Sequence, residues 1–279
     1  MSNALLQVDQ LNVAYRGADG TVPVVKGVSF TLGREKLAVV GESGSGKTTV
    51  GRALLRLLPR HAQVSAQALR FDGIDLLAAS DAQMSQLRGR RVSMIMQDPK
   101  YSLNPVMTVG AQIGEAVLRA DALGRAECRD RVEQLLARVH IREPGRVAQQ
   151  YPHQLSGGMG QRVMIAMMLA QKPRLLIADE PTSALDVSVR QEVLDLLDEL
   201  VAEQGLSLLF ITHDLNLVGR FCDRVLVMYA GRIVEALQAS ALAEAQHPYT
   251  RALLSAVPSL KHRRATLPVL QRDPAWSEP

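Results

Sequence analysis

The chain has 279 residues, of which 47% are hydrophobic and 22% are charged, with a formal net charge of +4 at neutral pH. This length allows one large α/β domain with an appended subdomain. The charge is too small to indicate nucleic acid as a partner, and no apolar run approaches the roughly 18 residues of a membrane-spanning helix. The first residues lack the charged and apolar regions of an export signal, which predicts a cytoplasmic compartment.

The first predicted elements are two β-rich segments, residues 5–11 and 22–30, which a turn-rich stretch separates. We expect them to form an antiparallel hairpin. Tyr15 lies between them, where its ring could stack on an adenine. Its spacing alone favours a half-buried strand tyrosine, and both interpretations stay open at this point.

The apolar run at residues 37–40 leads into a glycine-rich loop that matches the pattern G-x-x-x-x-G-K-[ST]. Backbone N–H groups of such a loop point inward, and the N-terminus of the following helix attracts phosphate. Lys47 would reach the β and γ phosphates, and the Thr48 hydroxyl would supply one oxygen to Mg²⁺. The loop predicts ATP or GTP binding by Gly41, Glu42, Ser43, Gly44, Ser45, Gly46, Lys47, Thr48 and Thr49.

Helical spacing follows at residues 50–58, and residues 68–77 have the pattern of a hairpin. The apolar run at residues 92–96 predicts a strand that cannot continue through the nearby proline, so Gln97 should face a loop. Helical periodicity from about residue 109 to 148 predicts a helical insertion in an otherwise α/β chain.

A second glycine-rich phrase begins with Ser156, a good N-cap, followed by Gly157 and Gly158, and therefore offers another helix N-terminus to an anion. A buried strand then ends in Asp179 and Glu180. Adjacent carboxylates in such a place are costly unless they meet a cation or take part in chemistry.

The remaining pattern predicts an amphipathic helix that ends near Gly205, a strand that ends at His213, and a strand pair at residues 224–234. A short apolar helix is expected at residues 247–258. The last residues, Trp276 included, have little periodicity and are expected to be mobile. The two cysteines and six histidines lack the spacing of a metal site, and we expect reduced thiols.

Taken together, these motifs resemble the ATP-binding cassette (ABC) ATPases of ABC transporters over roughly residues 4 to 260. The resemblance implies an α/β P-loop NTPase (RecA-like) core with an N-terminal antiparallel β subdomain and an inserted helical subdomain. Its motifs lie, in the family's order, at residues 41–49, 97, 155–162, 175–180, 183–186 and 213.

The resemblance also implies a role for each matching residue. Asp179 would order Mg²⁺, Glu180 would be the general base, and His213 would contact the γ phosphate. Gln97 would lie near metal and water at the junction with a transmembrane partner. The implied catalytic residues are Glu180, His213, Gln97 and Lys47; the metal residues are Thr48, Gln97 and Asp179; the nucleotide contacts outside the first loop are Tyr15, Ser156, Gly157, Gly158, Gln161 and Asp186.

Residues 155–161 resemble the family's signature loop, which closes over the γ phosphate of a nucleotide held by the other subunit. Hydrolysis should therefore require dimerisation. Met159 stands where the family often has Gln, and Gly160 removes a cation that relatives commonly carry.

Four domain boundaries follow from the resemblance. Residues 1–98 would form the β subdomain and the Walker A part of the core, and residues 99–165 the helical signature subdomain. Residues 166–237 would carry Walker B and the switch histidine, and residues 238–279 a C-terminal extension.

Three phrases, at residues 97–105, 181–187 and 247–254, resemble the ATPases of bacterial peptide and nickel importers. Such importers pair two different ATPases with two membrane permeases and an external solute-binding protein. We therefore expect a heterodimeric ATPase, peripheral at the cytoplasmic face of the inner membrane. Many peptide-importing relatives carry a late cysteine cluster, and its absence here, with Met96 before Gln97, favours nickel or metal chelates over di- or oligopeptides.

Two alternatives belong to other classes. A non-transport ABC ATPase acting on nucleic acid or ribosomes usually carries two cassettes or long coiled-coil insertions, and neither is present. An exporter ATPase is disfavoured by residues 247–254 and by the lack of a membrane domain in the chain. The favoured function is an ATP-hydrolysing subunit that powers solute uptake.

Overall fold

The computed structural model describes residues 4–17, 20–96, 102–183 and 185–256, together with Asp273 and Trp276. The chain divides into two compact units. The first combines both ends of the chain, Met1–Ala79 and Leu209–Pro279, and the second is its middle, Ser80–Leu208.

An antiparallel sheet forms one layer of the first unit, and it confirms the predicted hairpin. Strand β1 pairs along its length with β2 on one side, and with β4 and β5 on the other; β6 extends the sheet from β5. Asp72 and Gly73 have positive φ values of 49° and 80°, as the tight β5–β6 turn requires. The strands are β1 (Leu6–Gly17), β2 (Gly20–Leu32), β4 (Ala62–Ser65), β5 (Ala68–Phe71) and β6 (Ile74–Asp75).

The second sheet of this unit carries the phosphate-loop sequence at the end of β3. Strand β3 pairs in parallel with β10, and β10 pairs antiparallel with β11. Leu37, Ala38 and Val40 are fully buried, because a strand covered on both faces is apolar throughout rather than alternating. The elements are β3 (Lys36–Val40), α1 (Lys47–Leu54), β9 (Ser207–Thr212), which begins in the second unit, α8 (Leu215–Phe221), β10 (Arg224–Tyr229) and β11 (Arg232–Gln238).

The C-terminal part of the chain packs into the same core. A 3₁₀ segment (Ala239–Glu244) leads to helix α9 (Pro248–Ala256), whose Tyr249 is buried among side chains of β3 and β10. The Trp276 ring lies 5.8 Å from the Tyr229 ring and 5.7 Å from the Tyr249 ring, between centroids. Trp276, which was expected to be mobile, thus packs against two tyrosine rings that are distant from it in sequence, while residues 257–272 lie outside the described residues.

The helical insertion predicted for residues 109–148 is confirmed in the second unit as three helices. Thr108 caps the first, its hydroxyl accepting from the Ala111 N–H, and the apolar residues Val109, Ile113 and Val117 of this helix are buried. The helices are α3 (Val109–Ala120), α4 (Arg125–Arg138) and α5 (Pro144–Ala148), and a 3₁₀ turn (Pro152–Gln154) follows.

The rest of the second unit is a parallel strand pair with its helices. The apolar runs predicted both strands, and the structure shows that β7 (Val92–Ile95) pairs with β8 (Leu175–Asp179). The other helices are α2 (Asp81–Leu87), α6 (Gly157–Leu169) and α7 (Val187–Gln204). No helix in the described ranges is both long enough and apolar enough to cross a bilayer.

Helix α6 approaches α7 at a glycine. A Cβ placed on Gly158 would lie only 2.3 Å from Cγ1 of Val189, whereas a Cβ on the neighbouring Gly157 would lie 3.9 Å from Cδ2 of Leu185. The first distance forces a movement and the second is an ordinary contact. Gly158 is thus required by helix packing, in addition to any role at a ligand.

We predict that Gly158→Ala lowers stability by about 1–3 kcal/mol, the usual cost of overpacking, and lowers the thermal unfolding midpoint. Val189→Ala in the same chain should restore most of the loss, because it removes the colliding methyl group. Gly157→Ala is the matched control and should stay within about 0.5 kcal/mol of the parent. Equal midpoints for the two alanine variants would contradict this packing account.

The Cys222 thiol should be chemically inert in the folded chain. Burial raises its pKa to about 12, with the nearby Lys36 charge acting in the opposite direction. Only the thiolate reacts, so at pH 8 Cys222 should be labelled at least about a hundredfold more slowly than an exposed cysteine. A Cys128→Ser chain isolates this thiol: labelling with a thiol reagent should be slow in buffer and fast in denaturant, and fast labelling in buffer would refute the prediction.

Candidate functional site

The loop between β3 and α1 has the backbone that its glycines predicted. Gly41, Gly44 and Gly46 all have positive φ values. A Cβ on Gly41 would lie 2.1 Å from the carbonyl oxygen of Met228, so only glycine fits there, while Gly44 faces open space. A cavity of about 200 Å³ lies beside Glu42 to Ser45. The loop thus has one side packed tightly on the protein and one side accessible to a ligand.

Two hydrogen bonds from outside the loop and one within it hold its backbone. The Gly231 N–H donates to the Ser45 carbonyl at 3.1 Å, and the Ser45 N–H donates to the Glu42 carbonyl at 3.2 Å. The Glu42 N–H donates to the hydroxyl of Tyr249 at 2.9 Å. These hydrogen bonds give the loop a defined backbone conformation.

Lys47 lies inside this frame with only 6% of its surface exposed. Its Nζ donates to the carbonyl oxygens of Gly41 at 2.7 Å and Glu42 at 2.8 Å. A buried ammonium group at this place favours an anion beside it. Thr48 and Thr49 follow in the first turn of α1, where helix N–H groups also favour phosphate.

Two other predicted residues lie in the first unit. Tyr15 is half-buried on β1, paired with Val22 and Ala62, and its ring centroid lies 5.6 Å from that of His61. His213 is exposed directly after β9. The following residue, Asp214, caps α8 by accepting from the Leu217 N–H, which fixes the backbone next to the histidine.

The second unit carries the predicted carboxylates at the end of β8. Asp179 is 4% exposed. Glu180 has a φ of 47°, a left-handed conformation that costs a non-glycine residue about 1–3 kcal/mol and is typical of active sites. The Ser183 N–H and hydroxyl both donate to the Glu180 carbonyl, at 3.2 and 3.1 Å, and hold this turn.

Ser156 is the N-cap of α6, as predicted, with its hydroxyl accepting from the Met159 N–H at 3.3 Å. Gln161 is only 1% exposed, and its side-chain nitrogen has no hydrogen-bond partner in the described part of the chain. Its side chain therefore lies inside this unit. Arg162 bonds to the His140 carbonyl and to Glu192, and burial lowers its pKa.

The structure gives Asp186 a contact that the sequence analysis did not assign. Its Oδ1 accepts from the Val189 N–H at 3.0 Å and from the Ser188 hydroxyl at 2.8 Å, so it caps α7. The Val189 hydrogen bond is the main cause that lowers the Asp186 pKa. Gln97 lies outside the described residues.

One residue of the site was missed. Tyr249 contacts the phosphate loop, but the sequence pattern at residues 247–254 indicated only a resemblance to peptide and nickel importers. The sequence signal for burial of Tyr249 is its position at the start of an apolar helix, on the buried face. Nothing in its spacing indicates which loop it reaches.

Comparisons with known proteins agree with this geometry. The family model described as ABC transporter matches residues 25–183. A probable peptide ABC transporter ATP-binding protein of Sinorhizobium fredii is 45% identical over 96% of this chain and 81% of its own length. The dipeptide transport ATP-binding protein DppD of Bacillus subtilis is 44% identical over 97% of this chain and 82% of its own length.

Solved structures give the same result for the fold. The dimeric ATP-binding cassette MJ0796, in a post-hydrolysis state bound to ADP and Pi, superposes with a TM-score of 0.72. The match is 26% identical and covers 84% of this chain and 98% of that one. The predicted α/β P-loop fold is confirmed, and this chain belongs to the ABC transporter family as an ATP-binding, ATP-hydrolysing subunit.

Proposed function

We propose that this chain powers the uptake of peptides through an ABC importer. The observation that carries the proposal is the similarity over nearly the whole chain to relatives whose names specify peptide and dipeptide transport. These names favour peptides over the nickel or metal chelates that the sequence analysis preferred. The absent cysteine cluster distinguishes this chain from many peptide importers but does not outweigh that similarity.

The importer would contain two permeases, a second ATPase of different sequence and an external solute-binding protein. This chain would be peripheral at the cytoplasmic face of the inner membrane. The support is the family, whose model matches residues 25–183, and the relatives named as ATP-binding proteins of transporters.

For hydrolysis we infer that Lys47 exchanges its two carbonyl acceptors for oxygens of the β and γ phosphates. Glu180 would take the proton of the attacking water, and its strained backbone supports a role that needs a fixed carboxylate. His213, and Gln97 outside the described residues, would orient the γ phosphate and water. Tyr15 would stack on the adenine ring.

A magnesium ion would neutralise developing charge on the phosphates. From the family resemblance we assign to it the Thr48 hydroxyl of the first unit and the buried Asp179 carboxylate of the second, which are oxygen groups of the kind that Mg²⁺ prefers. The described residues contain no group of three or more His, Cys, Asp or Glu side chains able to hold a metal.

We also infer that Ser156, Gly157 and Gly158 act on a nucleotide held by a facing subunit. Ser156 is the N-cap of α6, so the N–H groups of Gly157 and Gly158 lie at a helix N-terminus, which favours an anion. The similar cassette solved with ADP and Pi is a dimer. Hydrolysis would then require two ATPase subunits, and ATP would hold them together.

Glu180→Gln should reduce ATP turnover by at least about a hundredfold, because general base catalysis is worth roughly that much or more. The variant should still bind ATP and should accumulate as an ATP-bound dimer, measured by light scattering after gel filtration. Glu203→Gln, the same change at an exposed ion pair with Arg138, is the matched control and should turn over normally. Normal turnover in Glu180→Gln would refute the role of this carboxylate.

Lys47→Ala should lose ATP binding, since the phosphates lose their buried cation, and titration with a fluorescent ATP analogue would measure it. Parental affinity in this variant would place the nucleotide elsewhere.

Isolation of the chain from native membranes tests the assembly and the class of function. We expect two permeases and a second ATPase to accompany it, and ATP turnover in the reconstituted complex to rise with a peptide-loaded binding protein. Nickel or a nickel chelate in place of peptide is the matched control and should give no rise. Co-isolation of ribosomal protein or DNA instead would favour the non-transport alternative.

A further inference from the structure

Tyr249 connects the C-terminal part of the chain to the phosphate loop. It is fully buried, and its hydroxyl accepts the Glu42 N–H at 2.9 Å across 207 residues of sequence. Its ring centroid lies 4.4 Å from that of Tyr229, and Trp276 packs on both. The ring is thus held in the core, and the hydroxyl reaches the first turn of the loop.

The segment before α9 is itself anchored. The Glu235 Oε1 on β11 accepts the N–H groups of Gln246 at 2.7 Å and His247 at 3.2 Å. The Nδ1 of His247 accepts the Tyr249 N–H at 3.2 Å and so caps the helix that Pro248 begins. A continuous set of contacts therefore runs from β11 through the start of α9 to Glu42.

Glu42 occupies a sensitive position in the loop. Its carbonyl accepts from Lys47 Nζ, and it also accepts the Ser45 N–H. Tyr249 therefore fixes the N–H of the same residue whose carbonyl accepts hydrogen bonds from Lys47 and Ser45. Through Glu42, the Tyr249 hydroxyl influences both the shape of the loop and the position of the lysine. Glycine-rich backbone has many alternative conformations, so an external hydrogen bond at this point selects one of them.

We propose that Tyr249 is a positioning residue for ATP binding, whose hydroxyl keeps the phosphate loop in its binding conformation before the nucleotide arrives. The C-terminal segment thereby contributes to the nucleotide site, although it lies outside residues 25–183, where the family model matches. A preformed loop loses less entropy on binding, so the effect should appear in affinity.

Tyr249→Phe removes only the hydroxyl and keeps the ring packing. A neutral hydrogen bond contributes roughly a factor of five to an equilibrium, so we expect the KM and Kd for ATP to rise about fivefold. The value of kcat at saturating ATP should change less than about twofold, because the bound nucleotide restores the loop. The purified full chain gives the Kd, and the assembled transporter gives KM and kcat.

Tyr229→Phe is the matched control. Tyr229 belongs to the same ring cluster and lines the cavity beside the loop, but its hydroxyl, the only group that the substitution removes, donates to the Asp273 carbonyl at 3.3 Å. This variant should keep the parental Kd and KM even if its thermal unfolding midpoint falls as far as that of Tyr249→Phe. A loss of affinity tied only to stability would affect both variants alike.

Amide hydrogen exchange provides a readout that general destabilisation does not reproduce. In nucleotide-free Tyr249→Phe the Glu42 amide should exchange about fivefold faster, while the amides of β3 stay unchanged. The proposal is overturned if Tyr249→Phe binds ATP with parental affinity, if kcat falls with KM unchanged, or if Tyr229→Phe loses the same affinity.

Discussion

The nucleotide site depends on one constraint, which is that the backbone between β3 and α1 must keep a single shape while it carries three left-handed glycines. Gly41 lies so close to the Met228 carbonyl that no side chain fits there. Hydrogen bonds from Gly231 to the loop and from the loop to Tyr249 hold it from two sides. The open face at Gly44 is therefore a consequence of the packing behind it.

The buried Lys47 explains why such a loop favours a nucleotide. Its ammonium group is buried within the loop, where phosphate oxygens can make charge-assisted hydrogen bonds with it. In the second unit, Glu180 next to the buried Asp179 has a left-handed backbone, which costs conformational energy. The surrounding core keeps this strained backbone in place.

Local signals predicted most of the fold and much of the local structure around the candidate site residues. The glycine pattern predicted the loop, and Ser156 and Gly205 marked helix ends that the structure confirms. Two β-rich segments separated by a turn-rich stretch predicted the hairpin of β1 and β2. These features depend on residues a few positions apart. The missed contacts are long-range: Tyr249 with Glu42, Trp276 with the tyrosine rings, and Gly158 with Val189. Periodicity shows that such residues are buried, but it does not show against what.

The most direct test of the account is a crystal structure of the Glu180→Gln variant with ATP and Mg²⁺. The account predicts that Lys47 Nζ leaves the Gly41 and Glu42 carbonyls for the phosphates, while the Tyr249 hydroxyl stays on the Glu42 N–H. It also predicts Ser156 of a facing subunit beside the γ phosphate. Ser156 and Lys47 of one and the same chain on a single ATP, or Lys47 still bonded to its own loop, would contradict it.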